Sequence, residues 1–596
     1  MTVSLDLFAT EDPHDRRLAA SATGLLRIFN LAGVLVAADV HVAARVTALV
    51  GDTDPEVALA VALAVRAVRQ GSVCVELGEI AAVAPELAWP DPASWVDRVA
   101  ASGAAAASVV RVEHGLLYLD RYWREEGRLR EDLLTRADRP GPPVDGPGLL
   151  AAAERIFPAG YDEQRAAAVA AASRWTTVLT GGPGTGKTTA VAGLLALLAD
   201  QAGSGPPVRI ALTAPTGKAA ARLQEAVASA DVLLGAADRA RLGALTASTL
   251  HRLLGWRPDS RTRFRHDRDH RLPHDVVVVD ETSMVSLTMM TRLVEAIRPE
   301  ARLVLVGDPD QLASVEAGAV LADLVAGLGE RDPAGVVALR TSHRFGERIG
   351  ALAAAVRAGD ADLVLDLLRG SGTEDEIALV DPAQAQGLLR EVALGAARSL
   401  RERASAGDAV GALAALDRHR LLCAHRDGPA GASYWNRQVE RWLGEDAGMP
   451  VGVGGREWYA GRPVLVTAND YGLGLFNGDT GVVVSDGAGG LRAVIGGAGE
   501  VRDLALSRLG EIETLHAMTV HKSQGGQAEE VTVLLPPEDS RLLTRELFYT
   551  AVTRAQRRVR IVGTEEAVRA AVTRRAQRAT GLRRRLLAGR AAADAS

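Results

Sequence analysis

Only two cysteines, Cys74 and Cys423, occur in 596 residues. Two thiols build neither a disulfide framework nor a four-cysteine zinc site, and they fit a reducing compartment. Aromatic residues make up only 4% of the chain, so the core must be assembled from Ala, Val and Leu. Long apolar runs are also missing. The longest, such as Val57–Val65 and Ala190–Ala199, are about half of what a membrane span needs. Asp6, Glu11 and Asp12 stand near the start and no basic stretch precedes an apolar one, so no leader peptide is expected and a cytoplasmic location is. The net charge of −6 gives no bulk attraction to polyanions, so any nucleic-acid binding must rest on local patches. Lysine is the scarcest charged type: three of the 68 basic residues, Lys187, Lys218 and Lys522. A coding bias toward arginine accounts for the general replacement. The survivors mark places where a compact, flexible point charge serves and a guanidinium fork does not.

What is present is globular: 47% apolar and 24% charged residues. Residues 1–135 read as a helical domain, with Ala/Leu/Val periodicity in Thr23–Val50 and Pro55–Gln70 and a start signal at Asp54-Pro55. Residues 136–149, dense in Pro and Gly, read as a linker. From 150 to 334, β-rich runs at Thr176–Leu179, Arg209–Leu212, Val276–Val279 and Leu303–Val306 alternate with helical stretches, which predicts a parallel sheet of βα units. Within it, Trp256–Pro273 is rich in Arg and His and reads as a short hairpin. Runs at Gly335–Leu339, Arg420–Ala424, Val531–Leu535 and Arg558–Val562 predict a second α/β domain over 335–450 and 511–565. It is interrupted at 451–510 by strand-like Pro463–Thr467, Thr480–Val484 and Leu491–Ile495, read as a small inserted β-barrel. The tail, 566–596, holds eight arginines and no acid between Ala567 and Arg590, and fits either a solvated helix face or a contact with phosphate or a partner.

The strand Thr176–Leu179 runs into Gly181-Gly182-Pro183-Gly184-Thr185-Gly186-Lys187-Thr188-Thr189 and then an Ala/Leu helix. This is a phosphate-binding loop in its required context. The glycines let successive N–H groups face phosphate oxygens, and the helix N-terminus adds partial positive charge. Lys187 would reach the β- and γ-phosphates of ATP and the Thr188 hydroxyl would ligate Mg²⁺. The run Val276–Val279 delivers Asp280 and Glu281 at its carboxyl end, where ligands of open α/β sheets collect. Asp280 would hold the Mg²⁺, and Glu281 would orient and deprotonate the attacking water. Gln311, in Gly307-Asp308-Pro309-Asp310-Gln311, would sense the γ-phosphate.

Taken in order, Gly181–Thr188, Ala211-Leu-Thr-Ala-Pro-Thr-Gly-Lys-Ala-Ala220, Asp280-Glu-Thr-Ser-Met284, Gly307–Gln311, Val520-His-Lys-Ser-Gln-Gly525 and Tyr549-Thr-Ala-Val-Thr-Arg-Ala555 resemble the motifs of superfamily-1 helicases. With Leu475-Phe-Asn-Gly-Asp479, Leu25–Asn30 and Ala37–Val42, the resemblance is closest to the RecD family, the α subunits of the exodeoxyribonuclease V (RecBCD) complex. It covers nearly the whole chain. It implies two RecA-like P-loop domains with parallel sheets, a helical N-terminal domain and an SH3-like barrel insertion, with ATP between the two motor domains. It further implies 5′→3′ movement on DNA, RecB-like and RecC-like partners in a heterotrimer, a docking role for residues 1–135, and work in double-strand break repair. Carried over by position, Gln164 matches the glutamine that reads adenine, while Arg344 and Arg554 match arginines that stabilise charge on the γ-phosphoryl group. One segment departs from the pattern: Gly526-Gln-Ala-Glu529 stands where the family shows Ser-Glu-Phe and an acid.

A DNA grip is expected on each motor domain. Thr216 and Lys218, with Thr249 and His251, serve the first, and Thr519, His521 and Lys522 the second. The scarcity of aromatics argues for backbone contacts over base stacking. No group of acids and lysine at nuclease spacing stands outside the ATP motifs, so any DNA cutting is expected from another chain. Two other readings remain open from the sequence: a free-standing helicase of the same superfamily, and a scaffold that binds ATP as structure.

Overall fold

A computed structural model describes residues 15–593, except 204, 229–234, 243–244, 258–259, 342–345, 373–374, 449–456, 471 and 498–499. The N-terminal region begins with helices Gly24–Leu31, Ala37–Leu49 and Pro55–Arg69. The third starts where its sequence signals it: the Asp54 side chain accepts from the Glu56 N–H at 2.8 Å and Pro55 occupies the first turn. The region is not helical throughout. Cys74–Glu76, Leu116–Leu119 and Val110–Glu113 form an antiparallel three-stranded sheet, in that order. The expected linker opens two residues into helix Asp120–Ala137, and Arg136 at the helix end is buried. Its guanidinium donates to the carbonyls of Trp175, Arg298 and Ala301, so the helix is fastened to the base of the next sheet.

The first motor domain is a six-stranded parallel sheet in the order Val336–Leu339, Thr176–Gly181, Arg302–Gly307, Val276–Val279, Ile210–Ala214, Ala247–Thr249. All four valines of Val276–Val279 are fully buried, each contributing about 1.5–3 kcal/mol of transfer free energy. Val336–Leu339, expected to open the second domain, pairs instead with Val178–Gly181, so the first sheet extends to Leu339. Of this edge strand only Leu339 is fully buried. The hairpin expected at 256–273 is present as Trp256–Arg257 against Ser260–Phe264.

The second motor domain is a five-stranded parallel sheet in the order Ile377–Val380, Ala555–Val562, Ala528–Leu534, His419–Cys423, Ala517–Thr519. The insertion is an antiparallel sheet in the order Glu500–Ala505, Leu491–Gly497, Thr480–Ser485, Pro463–Val466, Ile512–Thr514. Among the described residues its two outer strands do not pair with each other.

The basic tail docks by one helix face and leaves Arg583 and Arg584, about half exposed, on the other. After helix Glu565–Thr573 of the second domain, the chain crosses back and helix Leu582–Ala593 packs on Val320–Arg331 of the first domain and on Asp120–Ala137. Leu582 and Leu586 are fully buried, in one core with Cys74, Leu116, Tyr118 and Leu129 of the N-terminal region and with Leu303, Leu305 and Leu324 of the first domain. The tail's arginines find carboxylates: Arg583 pairs with Glu330, Arg584 with Glu76, and buried Arg585 with Glu113 and Glu126. Both cysteines are buried and unbridged.

Candidate functional site: a nucleotide cavity and a nucleic-acid cleft between two domains

Strand register sets the site. Thr180 lies opposite Gly307, and Leu305 opposite Val279, so the loops after these three parallel strands emerge along one edge of the sheet. In the first of these loops Gly184 and Gly186 adopt φ of +81°, the left-handed region that glycine enters without strain. Helix Lys187–Ala202 follows directly. Close approach explains a third glycine: a Cβ at Gly181 would lie 2.9 Å from the Leu339 carbonyl. Lys187 curls onto its own loop, Nζ donating to the carbonyls of Gly181 at 2.6 Å and Gly182 at 2.9 Å. An anionic ligand in the loop would compete with these carbonyls for the ammonium.

The loop opens on a cavity of about 1210 Å³ lined by both domains. Pro183, Gly184, Gly186, Lys187, Thr188, Thr189, Asp280, Glu281, Gln311 and Gln164 come from the first domain, and Arg554 from the second. Gly181, Gly182 and Thr185 lie behind the lining and shape the loop; Thr185 Oγ1 donates to the Gly182 carbonyl at 2.9 Å. Gln164 is buried and donates to the Thr185 carbonyl at 2.9 Å, so it braces the loop from the cavity wall. Arg344 falls outside the described residues.

Asp280 and Glu281 are adjacent acids at the end of a wholly apolar strand. Loss of solvent and the Glu281 carboxylate both raise the pKa of Asp280, against the pull of the Glu281 N–H and Lys187. Such a pair suits a divalent cation. With the Thr188 hydroxyl across the cavity, it supplies the sparse protein ligation that Mg²⁺ accepts when phosphate oxygens and waters complete the shell. Glu281 adopts φ +50° and ψ 42°, a strained left-handed conformation.

A hydrogen-bonded chain joins the domains at the cavity floor. Arg554, 4% exposed, donates to Gln311 Oε1 at 3.1 Å, and Gln311 Nε2 donates to Asp308 at 3.1 Å. Tyr549 OH donates to the same Asp308 oxygen at 3.0 Å. Leu312 is held twice from the second domain: its N–H donates to Thr550 Oγ1 at 2.9 Å and its carbonyl accepts from Gln524 Nε2 at 2.7 Å. The departing segment falls here. Gly525, at φ +67°, offers its carbonyl to Arg222, and Gly526 offers its own to Arg554 at 3.2 Å. Gln527 lines the cavity, whereas Glu529 points away to pair with Arg557 at 3.8 Å. The position where the family shows an aromatic holds Ala528, buried at the start of strand Ala528–Leu534.

A second cavity, of about 330 Å³, also spans both domains. Thr216, Lys218 and His251 line it from the first domain, and His521 and Lys522 from the second. Thr249 and Thr519 do not reach it; their hydroxyls accept the N–H groups of Arg252 and Lys522, both at 3.3 Å, and so serve as caps. Burial beside Arg420 and Arg222 pushes Lys218 down to about 7, although Asp417 and Asp479 pull it up. Burial, with Arg578 nearby, lowers His521 to about 4, and burial also lowers His251, so both imidazoles are neutral donors at pH 7. Sequence reasoning missed Met284, Met289 and the Ser314–Glu316 turn, which complete this wall. Their only sequence signal is proximity to the Asp280 and Gln311 motifs.

Residues 31–114 match the family described as RecBCD enzyme subunit RecD, N-terminal domain. Residues 164–317 match an AAA domain, and residues 514–562 a UvrD-like helicase C-terminal domain. The RecBCD enzyme subunit RecD of Mycobacterium tuberculosis is 61% identical over 578 residues, covering 96% of this chain and 98% of its own. The chain belongs to the RecD family. Its counterpart in Mycolicibacterium smegmatis, of the same description, is also 61% identical, covering 93% of this chain and 98% of its own. More distantly, the ATP-dependent RecD2 DNA helicase of Deinococcus radiodurans is 32% identical over 81% of this chain and 60% of that relative. Among the described residues no helix is long and apolar enough to cross a membrane.

Proposed function

We propose that this RecD-family chain is the ATP-driven 5′→3′ DNA motor of a RecBCD-type complex acting on double-strand breaks in the cytoplasm, with RecB-like and RecC-like subunits as partners. The observation that carries the reading is Arg554: an arginine of the second domain, buried in the nucleotide cavity and bonded to Gln311 of the first. A ligand there touches both domains at once, so its γ-phosphate can govern their closure. In this reading Lys187 and Thr188 bind the phosphates, Gln164 faces the base, Asp280 holds the cation and Glu281 prepares the attacking water. Gln311, Arg344 and Arg554 stabilise charge developing on the transferred phosphoryl group. Mg²⁺ held by Thr188 and Asp280 would neutralise phosphate charge.

The second cavity supports the other half of the reading. Its lining from both domains lets closure bring two phosphate grips together, Thr216/Lys218/His251 and His521/Lys522, and reopening part them, which moves the strand. Binding of this kind is independent of sequence and weakens steeply with salt. The docking role of the N-terminal region is supported by exposed apolar side chains: Ile28, Leu31, Val42 and Leu49, from 44 to 68% exposed, lie on its first two helices. Full-length kinship with subunits of RecBCD enzymes favours a complexed motor over a free-standing one.

The test is ATP turnover with and without single-stranded DNA. Lys187→Ala and Glu281→Gln are each expected to abolish DNA-stimulated hydrolysis, a fall of at least about a hundredfold, with the thermal transition kept. Normal turnover by both variants would overturn the site.

A further inference from the structure

The arginine-rich tail docks through Leu582 and Leu586 and keeps Arg583 and Arg584 toward solvent. One of its arginines stands apart from the ion pairs. Arg578 lies in the extended stretch between helices Glu565–Thr573 and Leu582–Ala593. Its Nη1 donates to two main-chain carbonyls, those of Ser314 and Glu316. These belong to the turn that walls the nucleic-acid cleft and presents Val315, 75% exposed, beside it. The same node reaches the N-terminal domain. The guanidinium packs against Gly71, where a Cβ would lie 3.2 Å from Arg578 Cζ, and φ is +86°. Ala579 N–H donates to Ser72 Oγ at 3.0 Å, the Ala579 carbonyl accepts from Val73 N–H at 2.9 Å, and Gly318 N–H donates to the Gly71 carbonyl at 3.0 Å.

We propose that Arg578 is a positioning residue of the nucleic-acid cleft: it pins the Ser314–Glu316 turn in register with the cleft and joins that turn to the N-terminal domain. At one end Gln311 meets Arg554 at the nucleotide cavity; next, Leu312 is clamped by Thr550 and Gln524 of the second domain. Beyond Leu312 the turn makes one other hydrogen bond with its own segment, Ser314 Oγ to the Glu316 carbonyl at 2.8 Å. Its far end is held by Leu287 N–H on the Ala317 carbonyl at 3.3 Å and by Gly318 N–H on the Gly71 carbonyl, and between these two ends Arg578 is the side chain that fixes the turn in place. That place matters electrostatically. Glu316 brings a carboxylate to a wall meant for phosphate, and a turn free to swing would carry that charge into the strand's path. Both bonds leave the same Nη1, the longer reaching the Glu316 carbonyl at 3.4 Å, so an ammonium in its place could keep part of the contact. The inference rests on the proposed motor function, because it concerns the same cleft.

The test uses the full chain and a poly(dT) oligonucleotide, reading ATP turnover against oligonucleotide concentration. Stimulation of the unaltered protein is read first. Its absence would overturn the motor reading and this inference with it. Given stimulation, Arg578→Ala is expected to raise the half-saturating oligonucleotide concentration about tenfold, while turnover at saturation and without DNA stays within about twofold. Arg578→Lys should recover part of that shift. Arg583→Ala, which removes a tail ion pair with Glu330 that does not line the cleft, should leave the curve in place. A half-saturation point unmoved in Arg578→Ala would overturn the inference alone. So would an equal fall of turnover with and without DNA, since that marks a general loss of fold.

Discussion

Glu281 and Lys218 are residues held in costly states. A side chain at φ +50° costs about 1–2 kcal/mol, and an ammonium removed from water costs more unless it is paired. Each lies where a ligand can repay it. The sequence announces both, Glu281 as an acid after a buried strand and Lys218 as one of three lysines, because residue type is what the chemistry selects. It does not announce the strain, nor that Thr249 and Thr519 spend their hydroxyls on capping, since both depend on local backbone geometry. The state of Lys218 has a measurable consequence. With a value near 7, well below the ordinary lysine range, it is largely neutral at pH 8. A phosphate beside it favours the ammonium over the amine, so binding of single-stranded DNA should take up a proton there. Affinity should accordingly fall as pH rises from 7 to 9. Titration calorimetry at pH 8 in buffers of different ionisation heat should show the uptake, and Lys218→Met should remove it; uptake that persists in that variant would exclude Lys218 as its source.

At the scale of elements, the strands with pure apolar runs were legible: Thr176–Gly181, Ile210–Ala214, Val276–Val279 and Arg302–Gly307 fall within a residue or two of their expected places. Ile377–Val380 and Ala517–Thr519 were not foreseen. The ownership of Val336–Leu339 was misread because pairing partners are not encoded in a strand's own composition. The helix Leu582–Ala593 was misread for a related reason: its arginines advertise solvent or phosphate, and the two leucines that fix it, Leu582 and Leu586, are few among them. Those leucines make the element testable. Leu586→Ala should cost about 2–5 kcal/mol of docking. Gly327→Leu should act the same way from the opposite side, because even a Cβ at Gly327 would lie 2.7 Å from Leu586 Cδ1. Both are expected to accelerate hydrogen exchange across 582–588; protection unchanged in both would show that the helix is held by its ion pairs instead.

Over the whole molecule, the two-domain plan was legible because nucleotide chemistry demands residues from both lobes, and the motif order names them. The N-terminal region was less so: its three short strands are carried by residues such as Cys74–Glu76 that a helical reading absorbs. That region also carries Ile28, Leu31, Val42 and Leu49 exposed on its first two helices. Leu49→Asp and Ile28→Asp together should reduce co-purification with the partner subunits at least about tenfold while leaving the lone chain's DNA-stimulated hydrolysis within twofold. Retained association would place the docking surface elsewhere.

The core shared by the N-terminal region, the first motor sheet and Leu586 has an implication for how the protein is made. Translation delivers Leu586 only after both motor domains have been synthesised. The nascent chain therefore leaves the ribosomal tunnel with an oily seam still open along its earliest-formed part. Until the last helix arrives to seal it, that seam stays open to water.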